Sequence, residues 1–212
     1  MKRKIITAAI GSKPYFPIGI AYLRAYAKKV GADLTVITET TRANPQHALL
    51  DAFAAASPDT HHLWMDCDIV PHIQARDLFA YCDPRFTWGA QPLGQHRRKK
   101  WRPWLKKSHP EIIDIAPYLS TAIVSFTHHH ASQMMTHDKH WPNVGDQEIF
   151  NLLWRWAATP IRMIPHSIHN NYKKARQDRL NHTITDFYHC GGKGKLQKMH
   201  AVSENIQTIT PI

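Results

Sequence analysis

Cysteine is scarce in this 212-residue chain, which contains only Cys67, Cys82 and Cys190. Their number is odd and no two stand in a C-x-x-C spacing. That argues against a disulfide framework and against a cysteine-built zinc site, and it favours a reducing compartment. Acids are also few. Sixteen Asp and Glu face 27 Lys and Arg, a formal net charge of +11 with His counted as neutral. Such a balance favours a polyanionic partner, whether nucleic acid, an acidic membrane face or a phosphorylated substrate. No apolar run approaches the length of a membrane span. The opening MKRKIITAAIG breaks at Gly11, Ser12, Lys13 and Pro14 with no small-residue cleavage site, so it reads as a first strand and not as a targeting segment. Internal repeats and low-complexity segments are absent. The expectation is a single domain over residues 1–212, cytoplasmic and able to sit peripherally on an anionic surface.

The first half has a regular rhythm. Lys4 to Ile10 is β-branched and apolar, as in a buried strand. Ile20, Leu23, Ala27 and Val30 recur at helical spacing between Pro17 and Gly31, a plausible stop. Leu34 to Thr38 reads as a second strand, Pro45 to Ala56 as a helix, and His62 to Met65 as a third strand. Ile73 to Tyr81 reads as another helix and Phe86 to Ala90 as a strand. Strand and helix alternation of this kind predicts an α/β fold with a mixed, mainly parallel sheet flanked by helices. The region from Gln91 to Pro117 is a Pro-broken loop. Beyond it, Thr121 to Phe126 reads as a strand and Asp146 to Trp156 as a helix with Ile149, Leu152, Leu153 and Trp156 on one face. Ile161 to Ile164 and Phe187 to His189 are short strand candidates.

Two local patterns carry chemistry. In LWMDCDIVP an apolar strand delivers Asp66 and Asp68, two positions apart, at its carboxyl end. On extended backbone such residues share a face, so both carboxylates can point at one cation. Open α/β sheets bind ligands at that end of the strands. A hard divalent ion such as Mg²⁺ or Mn²⁺ takes oxygen ligands and keeps positions for substrate phosphates. In FYHCGGKGK, His189, Gly192 and Lys195 stand as H-x-x-G-x-x-K. A neutral imidazole can ligate Mn²⁺, a glycine lets backbone approach a diphosphate, and Lys195 offers it a point charge. By itself a D-x-D is more often a strand end closed by a turn. The two patterns together are more specific.

LWMDCDIV, YLSTAIVSF, GDQEIFNLL and HCGGKGK occur in the order seen in the family-8 glycosyltransferases, and the chain resembles that family over roughly Leu63 to Lys195. The resemblance implies the GT-A fold, a Rossmann-like nucleotide-diphosphosugar domain, and a metal-dependent glycosyltransferase. It implies Asp66, Asp68 and His189 as metal ligands. The nucleotide-sugar donor is expected against Thr7, Ala8, Tyr15, Asp66, Gly192 and Lys195. Asp146 and Gln147 match an Asp-Gln pair beside the transferred sugar and the acceptor. Where the family has Asn-Ser-Gly this chain has Ser120, Thr121 and Ala122, and the Asp that contacts uridine after the first strand is missing. A UDP-hexose is the default donor, and retention of the anomeric configuration is the family's outcome.

The run HRRKKWRPWLKK packs Arg97, Arg98, Lys99, Lys100 and Arg102 around Trp101 and Trp104. Basic groups neutralise phosphates, and indoles stack on bases or settle at a headgroup boundary. These seven residues are the expected acceptor-binding set. The acceptor is then polyanionic, either a modified DNA base or lipopolysaccharide or another anionic glycolipid. Two other classes share some of these features. A metal-dependent phosphoesterase or nuclease could use the same ligands, though two-metal enzymes need more clustered carboxylates. A non-catalytic nucleic-acid-binding protein would account for the charge alone.

Overall fold

A computed structural model describes residues 1–91, 118–138, 145–181 and 184–210, without the side chains of 176 and 177. The expected acceptor set, Arg97, Arg98, Lys99, Lys100, Trp101, Arg102 and Trp104, lies outside the described residues. The strands are β1 (Lys2–Ala8), β2 (Asp33–Ile37), β3 (Thr60–Met65), β4 (Ile69–Pro71), β5 (Thr87–Ala90), β6 (Ser120–Thr127), β7 (Ile161–Ile164), β8 (His169–Asn171) and β9 (Phe187–His189). The helices are α1 (Phe16–Val30), α2 (Ala48–Ala54), α3 (Leu78–Tyr81), α4 (His128–Met135), α5 (Asp146–Trp156), α6 (Lys174–Asn181) and α7 (Lys195–Asn205). Six strands form the main sheet in the order β2-β1-β3-β6-β5-β7, and β4-β9-β8 form a second, small one. In the main sheet β1 is parallel to β2 and β3, β5 is parallel to β7, and β6 runs antiparallel to its neighbours β3 and β5. The mixed α/β architecture expected from the strand and helix rhythm is the one observed.

The alternation along the central strands sorts the core into two layers. Ile5, Leu63, Met65 and Ile123 face the side covered by α1, with Leu23 and Tyr26, while Ile6, Trp64, Val124 and Phe126 face α2 and α5, with Leu49, Phe53, Ile149 and Phe150. Successive residues of a strand point to opposite faces, so strands buried on both sides read as near-continuous apolar runs. Helix α1 ends where Gly31 stops it, its N–H directed at the Ala27 and Lys28 carbonyls. The helix expected from Pro45 begins as a 3-10 turn over Pro45–His47 and becomes α-helical only at Ala48.

The helix expected over Ile73 to Tyr81 is reduced to the single turn α3. Upstream of it, the backbone groups are engaged by distant segments. The Ile73 N–H donates to Gln207 O, the His72 N–H to Asp186 O, and the Lys29 ammonium to the Ile73 and Ala75 carbonyls. Those bonds replace the helical ones. Asp77 then caps the remaining turn by accepting from the Phe79 and Ala80 amides.

Helix α1 also fixes the loop after β3. A Cβ placed on Gly19 would stand 1.7 Å from the Cys67 carbonyl oxygen, so only a glycine lets the helix lie against the loop carrying Asp66 and Asp68. Gly19→Ala is therefore expected to destabilise the protein by about 1–3 kcal/mol, the usual cost of overpacking. Urea unfolding monitored by circular dichroism measures this, and an unchanged midpoint would mean the contact yields without strain.

At the other end of β3, His61 and His62 are buried as neutral imidazoles. The His61 Nε2 lies 2.7 Å from Ser125 Oγ, and the His62 ring stacks on Phe126 at 5.1 Å. Burial pulls both down from 6.5 to about 4. Below pH 6.5 the unfolded chain takes up protons that the folded chain refuses, so stability falls between pH 6.5 and 4 and levels off below that. The loss is on the order of 3 kcal/mol per imidazole. Replacing His62 by Asn should lower the slope of unfolding free energy against pH by about 1.4 kcal/mol per unit in this window. An unaltered slope would show that His62 is not among the groups titrating on unfolding.

Candidate active site

Strand β3 ends at Met65, and the chain turns through Asp66, Cys67 and Asp68 into β4. The Asp66 N–H donates to Ala122 O on β6 at 2.9 Å, and its carbonyl accepts from the Ile69 N–H at 3.1 Å. The turn is thereby fastened to the main sheet on one side. On the other side β9 pairs antiparallel with β4, with Ile69 opposite His189, and the Cys190 N–H donates to Asp68 O at 2.9 Å. This pairing brings the imidazole from the late part of the chain to the two carboxylates. Asp66, Asp68 and His189 each offer one ligand atom, and these atoms lie within 4.8 Å of one another. His189 Nε2 is 3.4 Å from Asp68 Oδ1 and 3.8 Å from Asp66 Oδ2.

Lys195, the first residue of α7, places its ammonium 2.9 Å from Asp68 Oδ2 and 4.9 Å from the Tyr15 ring centre. Gly191 keeps the ligand nitrogen clear, since a Cβ there would stand 2.8 Å from His189 Nε2. Burial and the neighbouring Asp68 charge hold the Asp66 carboxyl above the ordinary carboxylate range. Burial would raise Asp68 as well, but His189 and Lys195 outweigh it and hold that carboxyl well below the range. Asp68 in turn raises His189 and Lys195 against the effect of their own burial.

The donor set suits a divalent cation. Both Asp68 oxygens are buried, and among the described residues the groups that face them are the His189 imidazole and the Lys195 ammonium. Two carboxylates and one imidazole form the oxygen and nitrogen environment that Mn²⁺ and Mg²⁺ accept.

The cluster forms one wall of a cavity of about 800 Å³. Ala8, Tyr15, Asp66, Asp68, Asp146, Gln147, His189, Gly192 and Lys195 all line it, so the structure brings together the expected metal, donor and catalytic residues except Thr7. Thr7 is different, being fully buried in β1 and not part of the cavity wall. Asp146 opens α5, where Gly145 is the N-cap, and its carboxylate accepts from Thr121 Oγ1 at 2.7 Å. Burial raises the Asp146 carboxyl, with the Thr121 bond opposing it. Thr121 belongs to the Ser120-Thr121-Ala122 segment of β6, so that segment has a direct hold on Asp146.

Several cavity residues were not singled out in the sequence. Pro45, Gln46, Trp64, Tyr118, Lys13 and Lys193 also line the wall. For Trp64 a signal existed, since it stands two residues before Asp66. Its indole N–H donates to Asp66 Oδ1 at 3.2 Å. Pro45 and Gln46 could not be found from local pattern, because a 3-10 turn distant in sequence carries them to the cavity.

No protein-family model matches the sequence, and no curated protein matches it by sequence either. Solved structures do match by fold. A glycosyltransferase involved in glycosylation of the major capsid of PBCV-1 aligns with a TM-score of 0.60 at 10% identity, over 96% of this chain and 100% of that one. The galactosyltransferase LgtC, in complex with donor and acceptor sugar analogues, aligns with a TM-score of 0.53 at 11% identity, over 98% and 97% of the two chains. A Drosophila β1,4-galactosyltransferase 7 mutant, in complex with manganese, UDP-Gal and xylobiose, aligns at 0.52 and 14% identity, over 77% and 65%. The chain therefore has the GT-A fold these glycosyltransferases share.

If the Asp66, Asp68 and His189 cluster holds the cation, Asp68→Asn should abolish measurable Mn²⁺ binding while circular dichroism shows the fold retained. Titration of Mn²⁺ followed by the electron paramagnetic resonance of the free ion reads this. Wild-type affinity in the variant would place the ion elsewhere.

Proposed function

We propose that the protein is a metal-dependent glycosyltransferase of the family-8 type, taking a sugar from a nucleotide-diphosphosugar, by default a UDP-hexose, to an acceptor hydroxyl. The observation that carries this reading is the convergence of Asp66, Asp68, His189 and Lys195 on one wall of the cavity, at the carboxyl end of β3. A divalent cation bound there supplies Lewis-acid stabilisation of the departing diphosphate. Asp66, Asp68 and His189 would hold it. The Lys195 ammonium neutralises further charge on the leaving group, and the Tyr15 ring behind it limits where that ammonium can reach. Gly191 and Gly192 let the backbone approach the phosphates.

Asp146 and Gln147 lie elsewhere on the cavity wall and suit the hydroxyls of the transferred sugar. Thr121 holds one carboxylate oxygen of Asp146, which orients the group on the cavity wall where a sugar hydroxyl could donate to it. Gln147 is too weak a nucleophile for a double displacement. Same-face attack, with the leaving phosphate helping to deprotonate the acceptor, fits this set of residues and retains the anomeric configuration. The basic run between Arg97 and Trp104 supports a polyanionic acceptor, DNA or an anionic glycolipid.

A panel of nucleotide sugars with Mn²⁺, scored for slow hydrolysis without acceptor, tests the reading and identifies the donor. Release of a sugar from one nucleotide, dependent on the metal, is the expected result. Cleavage of phosphodiesters with no sugar release would support a nuclease instead. With the donor known, Lys195→Met should lose on the order of 2–4 kcal/mol of transition-state stabilisation. Asp146→Asn should slow transfer while leaving UDP affinity unchanged. Normal transfer by the Asn variant would limit Asp146 to a structural role in α5.

A further inference from the structure

The three ligand atoms of the cluster are selected by what holds the other carboxylate oxygens. Asp68 Oδ1 faces His189 Nε2 at 3.4 Å, and its second oxygen, Oδ2, is taken by the Lys195 ammonium at 2.9 Å. Asp66 repeats the arrangement. Its Oδ2 faces His189 Nε2 at 3.8 Å, and its Oδ1 accepts from the Trp64 indole N–H at 3.2 Å. Each carboxylate thus turns one oxygen toward the imidazole and has the other secured by a donor. The two donors differ in kind, a charged ammonium for Asp68 and a neutral indole for Asp66.

Asp66 has the greater need of such a hold. Its side chain is 30% exposed against 1% for Asp68, so packing confines it less. Trp64 is well placed to supply the restraint. Its ring is fixed in the core layer with Val124 and Phe126, and only 4% of the residue is exposed. A buried indole N–H needs an acceptor, and a Trp anchored this firmly presents its donor in one position. Partners that orient metal ligands commonly set affinity as strongly as some ligands do.

We infer that Trp64 is a positioning residue for the cation site, its indole N–H fixing the Asp66 carboxylate so that Oδ2 points toward His189. The inference rests on the cation site of the proposed function. It assigns to the strand before the D-x-D a role beyond burial. Trp64 acts through Asp66, and its ring also forms part of the cavity wall.

Trp64→Phe keeps an aromatic ring in the core and removes the N–H. A second variant, with the indole replaced by the benzothienyl isostere at position 64, keeps the full bicyclic shape and lacks the N–H too. The probe is Mn²⁺ alone, with no nucleotide, titrated by the electron paramagnetic resonance of the free ion, with thermal unfolding of each variant alongside. Both variants are expected to bind Mn²⁺ roughly 10-fold more weakly than wild type. The isostere should retain the wild-type melting temperature, which a purely structural role for the N–H would not combine with weakened binding. Should Trp64→Phe fail to fold, the isostere decides alone. Wild-type Mn²⁺ affinity in the isostere would overturn the inference and leave the cation site standing. Absence of Mn²⁺ binding by the wild-type protein itself would overturn both.

Discussion

Asp68 keeps 1% of its side chain in contact with solvent, and a carboxylate removed so far from water has to be compensated from within the protein. The compensation comes from the far end of the chain, His189 on β9 and Lys195 at the start of α7. Much of the late architecture serves to deliver those two charges. Strand β9 reaches Asp68 because it pairs with β4 on one edge and β8 on the other. The Cys190 N–H then ties its end to the Asp68 carbonyl. The early part of the chain contributes the opposite constraint, since α1 presses on Cys67 at Gly19 and leaves the turn no room to relax. Removing the carboxylate would take from His189 and Lys195 the charge that both face. Site and fold are therefore coupled through a single charge.

Structure that is local is legible in the sequence, and structure imposed from a distance is not. Strands β1, β2 and β3 and helix α1 have apolar periods and a glycine stop that any short window reveals. The D-x-D was legible because its two carboxylates sit at the end of such a strand. His189 and Lys195 were legible only as a spaced pattern, and their proximity to Asp68 depends on β9. Strand β8 is His-Asn-Asn, with no intrinsic strand character, and it is extended because β9 offers its edge. Helix α6, KARQDRLN, has no apolar stripe, and α7 buries only Met199 and Val202. The segment from Ile73 to Arg76 has an apparent helical period, yet Lys29, Asp186 and Gln207 hold its backbone in another form. Of the candidate donor residues only Thr7 misses the cavity wall. It is an inward-facing position of β1, and the parity of a strand flips with a shift of one residue.

The polar groups of the main sheet are segregated by end. At the carboxyl end of β3 charge is kept by pairing, Asp68 against His189 and Lys195, with Asp66 beside them. Toward its start stand His61 and His62, kept neutral chiefly by burial, with the nearby Arg3 and Lys4 charges acting in the same direction. One strand thus carries two opposite solutions to the burial of titratable groups, pairing at one end and neutralisation at the other. Pairing is the solution that leaves charge available, and it is found where the cavity opens. Neutralisation leaves none, and it is found where the strand enters the core.

Fold alignment over nearly the whole chain at 10% and 11% identity separates what topology supplies from what side chains supply. The order of strands carries the end of β3, the start of α5 and the end of β9 to one cavity, whatever residues fill the core. The particular residues at those places decide the chemistry. In this chain Ser120, Thr121 and Ala122 occupy the β6 segment beside the cavity, and Thr121 directs its hydroxyl at Asp146. The same segment receives the Asp66 N–H through Ala122 O. A three-residue stretch of one strand therefore contacts both the Asp66 backbone and the Asp146 carboxylate. Side chains and backbone there bear on Asp66 and Asp146 together, which makes this short stretch of β6 the physical link between the two parts of the cavity wall.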